Sequence, residues 1–423
     1  MLIITYYWPP SGGSGVQRWL KMAKYLPEFG WEPIVYTPDN SRFMIKDDSL
    51  VTDEAKNIAV LRKPIWDPGT WFGRQGKAPL GEVRARKSSL LFRLAVWVRA
   101  NVFIPDSKIF WVKPSLRFLS KYFNRRPPDM VVTTGPPHSM HLIGLGLKNI
   151  LGVKWLADFR DPWSAADIMA QLAVSGFALS QHVKMEKNVL RQADVVVTIG
   201  KRLGDSFTAL EPGCNLRIVT NGFDEQDFAG EGPTLPDDFV ITYTGILYPN
   251  RNPEQLWEVL NEMCHREAGF AARLRVNIAG FVDEAVRSGL EQYNELSGRV
   301  NFTGYLSHGE AIELCRQSAL LVLPVDNTKN SRMIVPGKMF EYLAARVPII
   351  SFGPSDSDAN DILLASGHRP VIAYDDKNKI YEEVKFHYTN FLQGKATAGY
   401  TFAAYSRRAL AKEISEIMHE TVG

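Results

Sequence analysis

Along the chain, short uninterrupted apolar runs alternate with longer stretches whose apolar residues recur every three or four positions. Leu2–Thr5, Pro33–Thr37, Met130–Thr134, Trp155–Ala157 and Val195–Ile199 make a first series of runs. Phe239–Tyr243, Leu274–Ile278, Val300–Phe302, Leu320–Pro324 and Val347–Ile350 make a second. Strands that are apolar on both sides belong in a parallel sheet covered by helices on its two faces. The pattern therefore predicts an α/β protein of two doubly wound, Rossmann-like domains, with ligands at the carboxyl ends of the strands. The polar stretch Asp227–Pro236, which carries Gly and Pro, is the expected linker. The domains are expected over 1–228 and 237–398. Phe402, Tyr405, Leu410, Ile414 and Ile417 predict a last helix within 399–423.

Composition agrees with a globular chain of this kind. The chain has 423 residues, 22% charged and 45% hydrophobic, enough for two ordinary cores. Cys214, Cys264 and Cys315 are widely spaced, with no CxxC pair, which suits neither a disulfide framework nor a zinc site. A reducing cytoplasm is the expected setting. No run of about 18 uncharged apolar residues occurs, so no spanning helix is expected. Met1–Thr5 reads as a first strand rather than a signal peptide.

Charge changes the picture more. The net charge of +3 conceals +9 over residues 1–230 and −6 over the rest. Residues 84–126 hold 11 basic side chains and one acid, Asp106, interleaved with Phe92, Trp97, Phe103, Phe110, Trp111, Phe118, Tyr122 and Phe123. Two helices that bury their aromatics and solvate their cations would give this pattern. So would a surface that rests on anionic lipid, here the inner membrane, or grips a phosphorylated acceptor. Nucleic acid is not an expected partner.

The residues with candidate chemistry follow the strands. Pro9–Arg18 is rich in glycine and opens a helical pattern, so Gly13 and Gly15 could let backbone amides approach an anion. Arg18 occupies the slot where a dinucleotide fingerprint has its third glycine, which argues against NAD. His138, in Gly135–Ser139, could face a ligand hydroxyl or simply be a satisfied buried group. In Asp158–Trp163, Asp158 and Asp161 flank Arg160 and either lock onto it or orient polyol hydroxyls. In the second series, Gly245 ends a strand and Arg251 follows near a helix start, a plausible diphosphate clamp. Between Val335 and Pro348, Lys338 and Glu341 are spaced i, i+3 on one helical face. The lysine could neutralise phosphate and the carboxylate accept two ribose hydroxyls.

The Trp8–Gly15 opening, Gly135–Ser139, Asp158–Trp163 and the Pro336–Pro348 helix together resemble the retaining family 4 glycosyltransferases, in particular those of bacterial surface polysaccharides. The resemblance extends over nearly the whole chain. It implies a GT-B fold, two Rossmann-like domains facing across a cleft, with the last helix crossing back to the N-terminal domain. It implies a nucleotide-sugar donor in the C-terminal domain, UDP-linked rather than GDP-linked, no cofactor or metal, and a hexose transferred with retention to a lipid-linked or saccharide acceptor. Glu341 would match the family's ribose-holding glutamate, and Lys338 and Arg251 its diphosphate-binding cations. Gly13 would lie in the loop facing the donor, with His138 at the transferred sugar. The chain departs from the pattern at Met333, where the family usually has a first glutamate, and at Ile246, where an arginine is frequent. A nucleotide-sugar 2-epimerase of the same fold, or a non-catalytic nucleotide- or sugar-binding module, are the alternatives.

Overall fold

The computed structural model describes residues 1–12, 14–39, 47, 57–68, 90–167, 169, 172–230, 232–395 and 400–423. Gly13 and residues 84–89 of the basic stretch lie outside them. The chain divides into two compact units, 1–220 with 411–423, and 221–410.

The first unit carries a seven-stranded sheet in the order β3-β2-β1-β4-β5-β6-β7. The strands are β1 (Leu2–Ile4), β2 (Ile34–Pro38), β3 (Ala59–Lys63), β4 (Met130–Gly135), β5 (Lys154–Phe159), β6 (Val195–Thr198) and β7 (Leu216–Ile218). Every pairing is parallel. Its helices are α1 (Ser14–Tyr25), α2 (Leu90–Asn101), α3 (Ile109–Tyr122), α4 (Ser139–Leu151), α5 (Gly176–Gln192) and α6 (Lys201–Leu210). The strand order reverses between β1 and β4, and their carboxyl ends flank the crevice where such sheets take ligands. β4 is buried along its whole length, as its apolar sequence requires.

The second unit repeats the design with five parallel strands in the order β10-β9-β8-β11-β12. They are β8 (Phe239–Thr244), β9 (Leu274–Ala279), β10 (Val300–Gly304), β11 (Leu320–Pro324) and β12 (Ile349–Phe352). Its helices are α7 (Glu254–Arg266), α8 (Ala268–Arg273), α9 (Glu284–Glu291), α10 (His308–Arg316), α11 (Lys338–Ala345), α12 (Asp358–Ala365) and α13 (Lys377–Leu392). A last helix, α14 (Arg407–Val422), begins in this unit, and its residues from Ala411 belong to the first. Phe239, Ile241, Leu256, Trp257, Leu260, Ile278 and Leu320 centre the core. The order reverses between β8 and β11, so this unit also has one crevice at its strand ends.

Both sheets are the doubly wound parallel sheets expected from the apolar runs. Strands β3 and β7, absent from that expectation, are the two edges of the first sheet. They are short and largely solvated, so Ala59–Lys63 and Leu216–Ile218 lack the continuous apolar signal of the inner strands. Among the described residues, no helix is long and apolar enough to cross a membrane.

Candidate functional site

In the second unit the sequence-selected residues gather at the β8 end. Gly245 follows the strand with φ at +113°, and its amide donates to the Ala279 carbonyl at 2.7 Å. The positive φ makes glycine the residue this turn needs, and a Cβ here would come within 2.9 Å of Lys338 Nζ, which would have to shift. Lys338 opens α11 and turns back onto the strand end. Its ammonium donates to the Thr244 carbonyl at 2.5 Å and stands 3.9 Å from the Tyr243 ring centre. Lys338 and Gly245 therefore form one cationic turn at the crevice.

Arg251 is close by but not free. Asp326, two residues beyond β11, grips it bidentately through Nε and Nη2 at 2.5 and 2.8 Å. The Ile246 carbonyl, which accepts from Arg251 Nη1 at 3.4 Å, also takes the Tyr243 hydroxyl at 2.6 Å. The arginine expected as a diphosphate cation is thus held by a carboxylate the sequence reading did not select. An acid just past a buried strand was the available signal.

Glu341 lies one turn into α11, partly buried, and its carboxylate makes no hydrogen bond or ion pair among the described residues. Burial raises its carboxyl above the ordinary 4.5; His308, Arg407 and Lys338 oppose that and Asp227 adds to it. Behind it, burial pushes the Cys315 thiol up to about 12, so that cysteine is inert. Tyr342, the next residue, accepts the Thr244 amide at 2.9 Å and fixes α11 to β8.

The first unit builds a different arrangement at the ends of β4 and β5. The acids flanking Arg160 do not lock onto it. Arg160 instead donates to three carbonyls, Gly135 (3.1 Å), Gly15 (3.1 Å) and Pro136 (3.0 Å), so it ties the glycine-rich turn to the His138 loop. Asp158 is fully buried and pairs with Arg18, whose Nε and Nη2 approach to 3.1 and 2.9 Å. Its other oxygen accepts Trp19 Nε1 at 2.7 Å and the Thr134 hydroxyl at 2.8 Å. With both oxygens taken by protein donors, the carboxylate has no capacity left to orient a sugar hydroxyl. Asp161, by contrast, is exposed beside Arg160.

His138 precedes α4 and stacks on Trp163, ring planes 1° apart and centres at 4.8 Å. The Trp163 indole N–H reaches His182 Nδ1 at 3.0 Å. His138 Nδ1 and His141 Nε2 are buried without a hydrogen-bond partner among the described residues. Burial holds both rings neutral: His138 titrates well below 6.5, and His141 at about 3. A neutral imidazole has one donor and one acceptor nitrogen, and only His138 Nε2, the nitrogen not buried, could meet a ligand. Among the described residues no group of three or more His, Cys, Asp or Glu is arranged to hold a metal.

Residues 238–390, within the second unit, match the family model described as glycosyl transferases group 1. No curated protein matches the chain by sequence. Solved structures match it nearly end to end. A putative UDP-N-acetylglucosamine 2-epimerase from Listeria monocytogenes superposes with a TM-score of 0.59 at 11% identity, covering 99% of this chain and 96% of that one. WaaG, a glycosyltransferase involved in lipopolysaccharide biosynthesis, gives 0.56 at 11% identity, over 100% and 98%. TarM of S. aureus, in a complex that contains UDP, gives 0.57 at 9%, over 100% and 98%. The chain shares the GT-B fold of these structures, a pair of doubly wound parallel-sheet domains. In this GT-B chain, Gly245, Arg251, Lys338 and Glu341 all fall inside the matched segment. Gly15, His138, Asp158, Arg160 and Asp161 lie outside it.

Proposed function

We propose that the protein is a glycosyltransferase that moves a hexose from a nucleoside-diphosphate sugar to a lipid-linked or saccharide acceptor, with retention, in surface polysaccharide synthesis. The observation that carries this reading is the pairing of an unengaged carboxylate, Glu341, with a cationic glycine turn, Gly245–Lys338, on one helix at the crevice of the matched domain. A carboxylate without protein partners suits two vicinal ribose hydroxyls, and the lysine suits the diphosphate. A UDP-linked donor is the preferred one.

The chemistry follows from charge. Breaking the C–O bond to a diphosphate builds negative charge on the leaving oxygen and oxocarbenium character on the sugar. Lys338 Nζ, fixed against the Gly245 turn before reaction, stabilises that leaving charge without reorganisation. Arg251 sits in the same turn and adds positive potential, reduced by Asp326. Retention is compatible with front-face attack, the departing phosphate oxygen taking the acceptor proton, so that no protein nucleophile is needed. His138, neutral and hydrogen-bond competent, is proposed to meet the transferred sugar.

For the acceptor, α3 supplies support. Lys113, Arg117 and Lys121 form an exposed stripe at i, i+4 and i+8, and Arg125 and Arg126 continue it. Trp97 and Phe110 remain 48% and 39% exposed nearby in the chain. Cations beside exposed aromatics favour peripheral contact with an anionic membrane bearing the acceptor.

The test is incubation of UDP-hexoses with and without a lipid-linked acceptor, followed by NMR of the anomeric signals. A new α-linked product from an α-linked donor, formed only with acceptor, supports transfer with retention. Conversion of the donor sugar to its 2-epimer without acceptor would transfer the assignment to the epimerases of this fold.

A further inference from the structure

We propose that His308, held by Asp227, is a positioning residue for Glu341, which presents its carboxylate to the ribose hydroxyls of a nucleoside diphosphate. The inference rests on the reading of Glu341 as the ribose group and extends it to two residues outside α11 that no sequence motif marked.

The pair is built from separate elements. Ser307 caps α10 through a reciprocal bond with Glu310, which fixes His308 as the first helical residue. Asp227 lies in the short 3-10 turn Glu225–Phe228, itself capped by Asp224, whose carboxylate accepts the Gln226 amide at 3.2 Å. His308 Nε2 and Asp227 Oδ2 stand 3.0 Å apart, about a quarter exposed on each side (26% and 23%). Helix α10 packs on both that turn and α11. Two capped elements thus bring an imidazole and a carboxylate together at the helix that packs against α11.

Each neighbour of Glu341 has a defined sign. From α10 come His308 and the buried thiol of Cys315, from the 3-10 turn Asp227, from α14 Arg407, and from its own helix Lys338. Lys338 directs one donor to the Thr244 carbonyl and stands over the Tyr243 ring. His308 is the largest influence favouring the ionised carboxylate, while burial and Asp227 oppose it. The two members of the pair therefore act on Glu341 in opposite directions. A charged imidazole beside α11 favours the ionised form of Glu341. A neutral Glu341 would lose one of the two acceptor oxygens needed by a vicinal diol. Asp227 in turn fixes which way the imidazole faces.

The experiment measures UDP and GDP binding by titration calorimetry across about pH 5 to 8 for the full-length wild type and for H308Q, H308K and E341Q. The titration of the ligand phosphate is common to all variants, so the comparison isolates the protein groups. Wild type is expected to weaken only towards the acid end. In H308Q this limb should move up by about one pH unit, making binding about tenfold weaker than wild type at the acid end and near equal at the alkaline end. H308K, which restores a cation, should return towards the wild-type profile, and E341Q should bind weakly with no such limb. If wild type binds but H308Q is weakened equally at every pH, His308 is merely structural and the proposal is overturned. If wild type binds neither nucleotide, the donor-site reading beneath it fails as well.

Discussion

Replacing Asp158 with asparagine isolates a fully buried ion pair with several further hydrogen bonds. Arg18 is 1% exposed and Asp158 0%, so neither charge has water to fall back on. Arg18 also donates to the carbonyls of Val219 and Thr220 at 2.9 and 2.6 Å, which joins α1, the β5 end and the chain after β7. Asparagine keeps the shape but leaves the guanidinium without a counter-charge and turns an NH2 toward the Trp19, Thr134 or Arg18 donors. Breaking a buried pair by removing one partner costs about 3–5 kcal/mol. Coulombic attraction from Arg18 and the Trp19 bond outweigh burial and hold the Asp158 carboxyl below its ordinary value. The contribution of this group is therefore present above the unfolded carboxylate pKa and is lost as pH falls through the lower folded value. Urea unfolding followed by the fluorescence of Trp19, Trp155 and Trp163 reads the first unit directly. D158N should lose stability by the stated amount near neutrality, with the gap to wild type narrowing in strong acid. The double variant R18M/D158L should be less destabilised than D158N alone. A loss below about 1 kcal/mol for D158N would refute the lock and return Asp158 to the ligand-facing candidates.

Acid should weaken both units well before carboxylates protonate. His141 and His387 are held neutral by burial down to about 3, and His368 down to about 4, against 6.5 when unfolded. Each costs about 1.4 kcal/mol per pH unit as pH falls from the unfolded value toward the folded one. Melting temperatures should drop steeply between about pH 6.5 and 5, and a flat profile would contradict the neutral assignment. Removing residues 411–423 should destabilise the first unit, because Trp31 loses its bond to Ser415 (3.2 Å) and its ring contact with His419 (4.9 Å). A red shift of tryptophan emission and a lower urea midpoint check this, and unchanged values would speak against it.

The fold was largely legible because parallel inner strands are apolar on both faces, and each of the ten apolar runs overlaps a strand. The two strands left out, β3 and β7, are solvated sheet edges whose stability comes from a single neighbour. The site was legible only where one segment carries it. Gly245 and the Lys338–Glu341 spacing are local and stood out. Arg18 entered the sequence reading only as the residue that spoils a glycine fingerprint, whereas folding makes it the counter-ion of Asp158, 140 positions away. Likewise Asp326, His308 and Asp227 acquire meaning only when the ends of β11, α10 and a 3-10 turn converge on α11. Spacing along the chain holds no trace of that convergence.

On the proposed reading the second unit binds a nucleoside diphosphate through Lys338 and Glu341, and calorimetric titration of wild type, K338A and E341A with UDP, GDP, ADP and NAD measures that binding. One diphosphate, with UDP preferred, should bind wild type and lose affinity by about 10-fold or more in each variant, since a hydrogen bond to a charged group contributes about 1.5–3 kcal/mol. Equal affinity in wild type and E341A, or no diphosphate bound by folded wild type, would contradict that reading.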